Sequence, residues 1–234
     1  MFTGNIGGEY MKKILNKLII LLLAFCVVGC GGKDESSDSN KVNIKDVSDF
    51  SESKGMVNYF TIDDYKISIP ETVGEYENYL KQIGDVTLGD TGKSSFDETI
   101  EANGVSSMVQ YLSVITEDDE EHRFIVRYEN TSDEEISVAE AKVTYIEIKY
   151  DALSEQSYDR AIDSIVIYAN GEEIPMRTKT KMEDVGEVCG LPEQNTDGRL
   201  RYTDDEGYEY IFDCSTEMRK GVFRGLIIKY PGSI

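Results

Sequence analysis

The sequence predicts an α+β fold of two tandem units, each a β-hairpin, one capped helix and a three-stranded antiparallel meander, with the helix packed on the sheet. Three observations carry that expectation. Short runs alternate apolar and polar residues at a period of two. Two capping-box tetrads stand ahead of apolar residues at helical spacing. Hairpin, helix, glycine stop and meander recur in the same order in each half. The 40% hydrophobic content and 15 tyrosines fit an ordered, strand-rich core.

The first unit is placed at residues 57–152. Tyr59-Phe60-Thr61-Ile62, the turn Asp63-Asp64 and Tyr65-Lys66-Ile67-Ser68-Ile69 read as a hairpin closed by Pro70. Thr72-Val73-Gly74-Glu75 is a capping box, and Val73, Tyr76, Leu80 and Ile83 then step along one helical face. Gly84 is read as the stop, followed by a polar loop of about 20 residues. The meander is expected at Val105–Ile115, His122–Glu129 and Ile136–Tyr150. In the middle strand Phe124, Val126 and Tyr128 would face one side, with Arg123 and Arg127 on the other. In the third run the apolar phase changes between Tyr145 and Ile146, which predicts a bulge. Ser137–Lys142 also admits a helical reading.

The second unit, 153–234, repeats the order. Ile165–Ala169, the turn Asn170-Gly171 and Glu172–Ile174 form a hairpin closed by Pro175. Thr180-Lys181-Met182-Glu183 is read as the second capping box, with Met182, Val185, Val188 and Cys189 as the apolar stripe and Gly190-Leu191-Pro192 as the end. Strands follow at Leu200–Thr203, Tyr208–Asp213 and Val222–Tyr230, with Tyr208, Tyr210 and Phe212 sharing a face.

Ahead of both units, Lys12, Lys13 and Lys17 precede an apolar run from Leu18 to Val28, too short to cross a bilayer comfortably and arranged like an export signal. Its exit, Val27-Val28-Gly29-Cys30, resembles the lipobox of bacterial lipoproteins. That resemblance implies a signal peptide over 1–29, cleavage between Gly29 and Cys30, and a diacylglycerol on the Cys30 sulfur. Residues 30–56, rich in Gly, Ser, Asp, Lys and Asn, then read as the lipidated cysteine and a flexible tether. Met11-Lys12-Lys13 makes the better signal-peptide start, and Gly7-Gly8-Glu9 can be encoded by a ribosome-binding sequence. Residues 1–10 are therefore expected to be untranslated leader.

The formal charge is -21. Residues 1–29 carry a net +2, so the chain beyond them is near -23. Such a balance argues against nucleic acid and anionic lipid as partners and suits cations or basic proteins. Removing Cys26 with the signal and Cys30 to the lipid leaves Cys189 and Cys214. As a disulfide they would close a loop of about 26 residues, worth about 3.5 kcal/mol. Two buried thiols are the other reading, and both stay open.

Residues with the means for chemistry are sparse. His122 is the single histidine, read as a surface residue at a strand start, and no Gly-x-Ser-x-Gly nucleophile elbow occurs. No catalytic residue, metal ligand or cofactor is assigned. Glu193–Asp204 approximates the order of a calcium loop but carries Pro192 in front and strand behind, so a simple turn is expected. The acidic turns Glu117–Glu121, Asp133–Glu135 and Asp204–Glu206 read as solvated loop tips. Tyr208 and Tyr210 read as core or sheet residues before sugar-stacking platforms.

Met182–Pro192 followed by Leu200–Tyr230, a helix ending in Gly-x-Pro before a tyrosine-rich meander, resembles small bacterial lipoproteins of the OmlA/SmpA kind and the β-lactamase-inhibitor-protein-like fold. That resemblance implies a helix on an antiparallel sheet, no catalysis, and protein binding at most. The functional expectation is a lipoprotein anchored in the cell membrane, facing outside the cytoplasm, with a non-enzymatic binding or scaffolding region for a protein or envelope partner. An extracytoplasmic solute- or cation-binding protein is the alternative, and an envelope hydrolase the third.

Overall fold

Period-two alternation puts the apolar residues of each strand on one face, and that face has to be covered. In the computed structural model, which describes residues 44–89, 96–106, 110–117, 121–149, 165–176, 180–215 and 220–232, two sheets cover each other. The chain runs through β1 (Lys45–Asp46), β2 (Val57–Ile62), β3 (Tyr65–Ser68), helix α1 (Val73–Leu80), β4 (Gly84–Leu88), β5 (Thr99–Ile100), β6 (Gln110–Thr116) and β7 (Glu121–Glu129). It continues through β8 (Ile136–Ser137), a 3-10 turn at Val138–Glu140, β9 (Lys142–Lys149), β10 (Ile165–Ala169), β11 (Glu172–Pro175) and helix α2 (Met182–Cys189). It ends with β12 (Gln194–Thr196), β13 (Arg199–Thr203), β14 (Glu209–Ser215) and β15 (Lys220–Lys229).

The smaller sheet has the order β1-β3-β2-β10-β11 and the larger one β12-β13-β14-β15-β9-β7-β6-β4, while β5 and β8 pair with each other. Cross-strand register aligns the inward residues into rows. Ile67, Phe60, Ile167 and Ile174 form one such row across the smaller sheet. Across the larger one run Leu88, Leu112, Phe124, Ile148, Leu226, Phe212 and Leu200, none more than 3% exposed. Phe60 and Phe124 bring the two rows within 6.2 Å of each other, and Tyr76 from α1 lies against both rings. One core therefore lies between the sheets.

The expected α+β arrangement of two tandem helix-on-sheet units is overturned. Strands hold 52% of the described residues and helices 12%, with two eight-residue α-helices. The two hairpins join edge to edge through β2 and β10, and the two meanders join through β9 and β15. Residues 42–234 form one compact unit. The repeated order of elements is real. It describes two halves of the same sheets, because the last strand of each meander has an unpaired edge that the other half fills.

Several local expectations hold. The bulge falls at Thr144, the extra residue between the pairs Arg127–Tyr145 and Tyr128–Val143. Asn170-Gly171 and Asp197-Gly198 turn with both residues at positive φ, as two-residue hairpin loops require. The Thr72–Glu75 capping box closes as read, Glu75 N donating to Thr72 Oγ1 at 3.2 Å. Others shift. Helix α2 begins one residue later than expected, with the Asp184 carboxylate accepting from Lys181 N at 2.6 Å. Gly84 opens β4 instead of a polar loop, because a Cβ there would meet Ile115 O at 2.0 Å. Strand β6 begins at Gln110, and a 3-10 turn divides β8 from β9.

Residues 44–56, expected as tether, belong to the fold: β1 pairs in parallel with β3, Val47 is 3% exposed, and Phe50 packs edge-on against Tyr59. The signal peptide expected over 1–29, with Met11, Gly29, Cys30 and residues 31–43, lies outside the described residues. No described helix is long and apolar enough to cross a membrane.

Because both halves share one core, urea unfolds the chain in a single transition with the same midpoint by tyrosine fluorescence and by far-ultraviolet circular dichroism. Leu226→Ala, next to the centre of the long row, lowers stability by about 3 kcal/mol and moves both signals together. Separate midpoints for the two halves would contradict the shared core.

Candidate binding groove

Where the chain enters β2 it leaves a groove of about 990 Å³. One wall is the segment from Ser48 to Lys54, the other the outward side of α1 with Glu75, Asn78, Tyr79 and Gln82, and Glu206 and Tyr208 lie along it as well. The walls are tied to each other. Ser48 N donates to Gln82 Oε1 at 2.7 Å, and Ser51 N donates to Ser68 Oγ at 2.9 Å. Asn58, the extra residue of a bulge in β2, donates to the carbonyls of Ser53 and Gly55 and accepts from Gly171 N at 3.0 Å.

A second tie runs through Asp204. Its carboxylate accepts from Met56 N at 3.1 Å, Tyr210 OH at 2.8 Å, and the backbone N–H groups of Glu206 and Tyr208, each at 3.0 Å. One side chain thus joins the start of the smaller sheet to the β13–β14 turn of the larger one. Gly55 has to be glycine for this approach, since a Cβ would lie 2.3 Å from the Tyr210 hydroxyl. Asp204 was expected at a solvated loop tip. Its four donors make it a structural anchor instead, while Asp205 and Glu206 are exposed as expected.

The groove is acidic. Asp49, Glu52, Glu71, Glu75 and Glu206 line it, with Lys54 the lining cation, and Ile69, Tyr79 and Tyr208 give it apolar surface. Asp49 sits at φ 62°, in the left-handed region that a short polar side chain tolerates. Glu75 is already engaged, its carboxylate accepting from Glu71 N at 2.7 Å. Among the described residues no three His, Cys, Asp or Glu side chains gather closely enough to hold a metal ion. The carboxylates are spread along the walls, an arrangement that suits a partner with several separated positive charges.

Behind the groove stands a layer of tyrosines. Tyr208 lies near Tyr210 and Tyr230, with ring centroids 6.1 and 5.2 Å away, and the Tyr230 hydroxyl donates to Pro70 O. Burial pushes the phenols of Tyr76 and Tyr230 well above their ordinary range. Burial and then the Asp204 carboxylate do the same to Tyr210. Tyr208 is raised by burial, with Glu71, Glu206 and Asp204 adding to it. Tyr210 is core and Tyr208 half-buried, on one face as read.

The remaining candidates lie elsewhere. His122 is 2% exposed, opposite Val114 on the inner face of β7, which corrects its reading as a surface residue. The acidic run in front hid the inward parity. Cys189, half-buried at the end of α2, and Cys214, buried on β14, are free thiols, so the disulfide that the sequence allows is not formed in this structure. Burial pushes both thiols up to about 12. Both raise the neighbouring Tyr202 phenol, which burial chiefly holds at about 12. The Glu193–Asp204 stretch is a hairpin, with Glu193 accepting from Thr203 Oγ1, and so is a turn as expected. Asp133–Glu135 are exposed.

The groove itself escaped the sequence reading. Its lining comes from residues 48–54, 68–82 and 206–208, which become neighbours only when the two sheets close. No family model, curated protein or solved structure matches the chain.

Tyr76, Tyr210 and Tyr230 set a pH limit. Unfolded, their phenols release protons near pH 10, while burial keeps them protonated in the folded chain. Above that pH the unfolded state holds fewer protons, and stability falls as pH rises. The last part of the tyrosinate absorbance is therefore expected to appear together with loss of the strand signal, above about pH 10. Completion of the tyrosine titration with the fold intact would contradict it.

Proposed function

We propose that this chain is a lipid-anchored protein facing outside the cytoplasm, and that its acidic groove holds a basic, extended segment of a protein partner. The observation that carries the binding reading is the groove lining, five carboxylates against one lysine with tyrosine and isoleucine surface between them. Charge of this kind steers and orients a basic partner more than it adds affinity. Lipid attachment at Cys30 follows from the likeness of Val27-Val28-Gly29-Cys30 to a lipobox. A sulfur-linked diacylglycerol with a further acyl chain would anchor stably, each buried methylene contributing about 0.8 kcal/mol.

The mechanism is presentation. The lipid holds the protein, and residues 31–43 space it from the surface. No covalent chemistry is required of the groove.

Two measurements test this separately. Radiolabelled palmitate is expected in the wild-type chain and absent from Cys30→Ser, and equal labelling of both would remove the anchor. For the groove, Glu52→Lys, Glu71→Lys and Glu206→Lys combined avoid the capping residue Glu75. A fluorescent oligolysine peptide is expected to bind the triple variant about tenfold more weakly, with the difference shrinking in high salt. Equal affinity would remove the groove as the binding site.

A further inference from the structure

Among the described residues the arginines are segregated, while lysines such as Lys54 and Lys66 lie elsewhere. All five arginines among the described residues, Arg123, Arg127, Arg199, Arg201 and Arg224, belong to the outer face of the larger sheet. Register places Lys142, Lys149 and Lys229 on the same face. The carboxylates there are Asp85, Glu121, Glu129, Glu147, Glu209 and Asp213, with Glu193 joining them through Thr203 Oγ1, seven against eight cations. Asp213 is shared by Arg224 at 3.2 Å and Arg199 at 3.8 Å, and Glu209 by Lys229 at 2.9 Å and Arg201 at 3.2 Å. Arg127 lies over the Tyr145 ring at 5.0 Å and Arg123 over Tyr111 at 5.6 Å. The side chains of Arg199, Arg123 and Arg201 are 58%, 46% and 40% exposed. Half-buried Ile125 and Ile227 sit among them.

Ionic screening makes this segregation matter. At physiological salt a charge is felt over about 8 Å. A surface approaching this face meets arginines paired within it, Arg123 with Glu121 at 2.9 Å among them, so the local balance and not the net charge of -21 bears on it. Eight strands at about 4.8 Å make a face some 35 Å across, broad enough for a planar partner. Guanidinium groups match phosphate oxygens in pairs.

We infer that the outer face of the larger sheet is the side the protein turns toward an anionic phospholipid surface, with its arginines on the headgroup phosphates. This rests on the lipid-anchor reading, because contact through so few excess charges is weak. A short anchored segment supplies the effective concentration that makes a weak contact count.

The test uses the chain from residue 30, prepared as Cys30→Ser and held by an N-terminal hexahistidine tag on vesicles with nickel-chelating lipid. Face contact is then measured whether or not Cys30 carries lipid in the cell, and the palmitate experiment alone decides the latter. One vesicle set contains phosphatidylglycerol, the other phosphatidylcholine only, and phenylglyoxal modification of each arginine is read by mass spectrometry. Arg123, Arg127, Arg199 and Arg201 are expected to react about fivefold more slowly on the anionic vesicles, with the protection lost in high salt. Arg127→Gln with Arg201→Gln, both on the exposed face, is expected to restore the rate at Arg123 and Arg199. Equal rates on both vesicles would overturn the inference. So would equal protection by soluble inorganic phosphate without vesicles, which would assign the face to free anions.

Discussion

The structure depends on two strand pairings that cross the middle of the chain, β2 with β10 and β9 with β15. Without them each half would present a strand with unpaired N–H and C=O groups beside buried residues such as Phe60, Ile146 and Ile148. Joined, the rows of inward residues run unbroken across both sheets, and the Phe60–Phe124 contact closes them onto one core. The helices are subordinate to this. Helix α1 adds Tyr76 to the core and is approached by the 3-10 turn at Gly74, where a Cβ would meet Ala139 O at 2.9 Å. Helix α2 buries only Val185 fully.

The groove is a by-product of the same closure. Once β2 is fixed between β3 and β10, the segment before it must cross the end of α1, and Asp204 draws its last residues to the β13–β14 turn. Carboxylates that are scattered along the sequence then line one concavity, while the arginines, on strands β7, β13 and β15, project from the opposite side of the larger sheet from its core. A chain with a single strong net charge thus acquires two faces of unlike character.

Most local structure was legible because it depends on neighbours in sequence. Asn170-Gly171, the Thr72–Glu75 box and the phase change at Tyr145–Ile146 that signals the bulge at Thr144 are set by backbone conformations and side-chain reach within a few residues. The misreadings share a different cause. His122 looked exposed because Glu120 and Glu121 precede it, yet strand parity turns it inward. Residues 44–56 looked like tether because Val47 and Phe50 are isolated apolar residues, and isolation in sequence conceals a partner such as Tyr59. Gly84 carried the correct message of missing bulk and the wrong location, since what it accommodates is the Ile115 carbonyl of another strand.

By itself the sequence determined the two helices and the longer strands, where most of them turn, and that their order repeats, while β1, β4, β5 and β12 went unread. It also carries, in Lys12 to Cys30, the pattern from which export and anchoring are proposed. Only the tertiary structure decided that the repeated halves share two sheets, that a groove gathers the carboxylates, and that the arginines stand together. Those outcomes rest on pairings between residues about a hundred positions apart, such as Phe60 with Ile167. Alternation fixes which face of a strand is buried, but it says nothing about which strand will lie alongside.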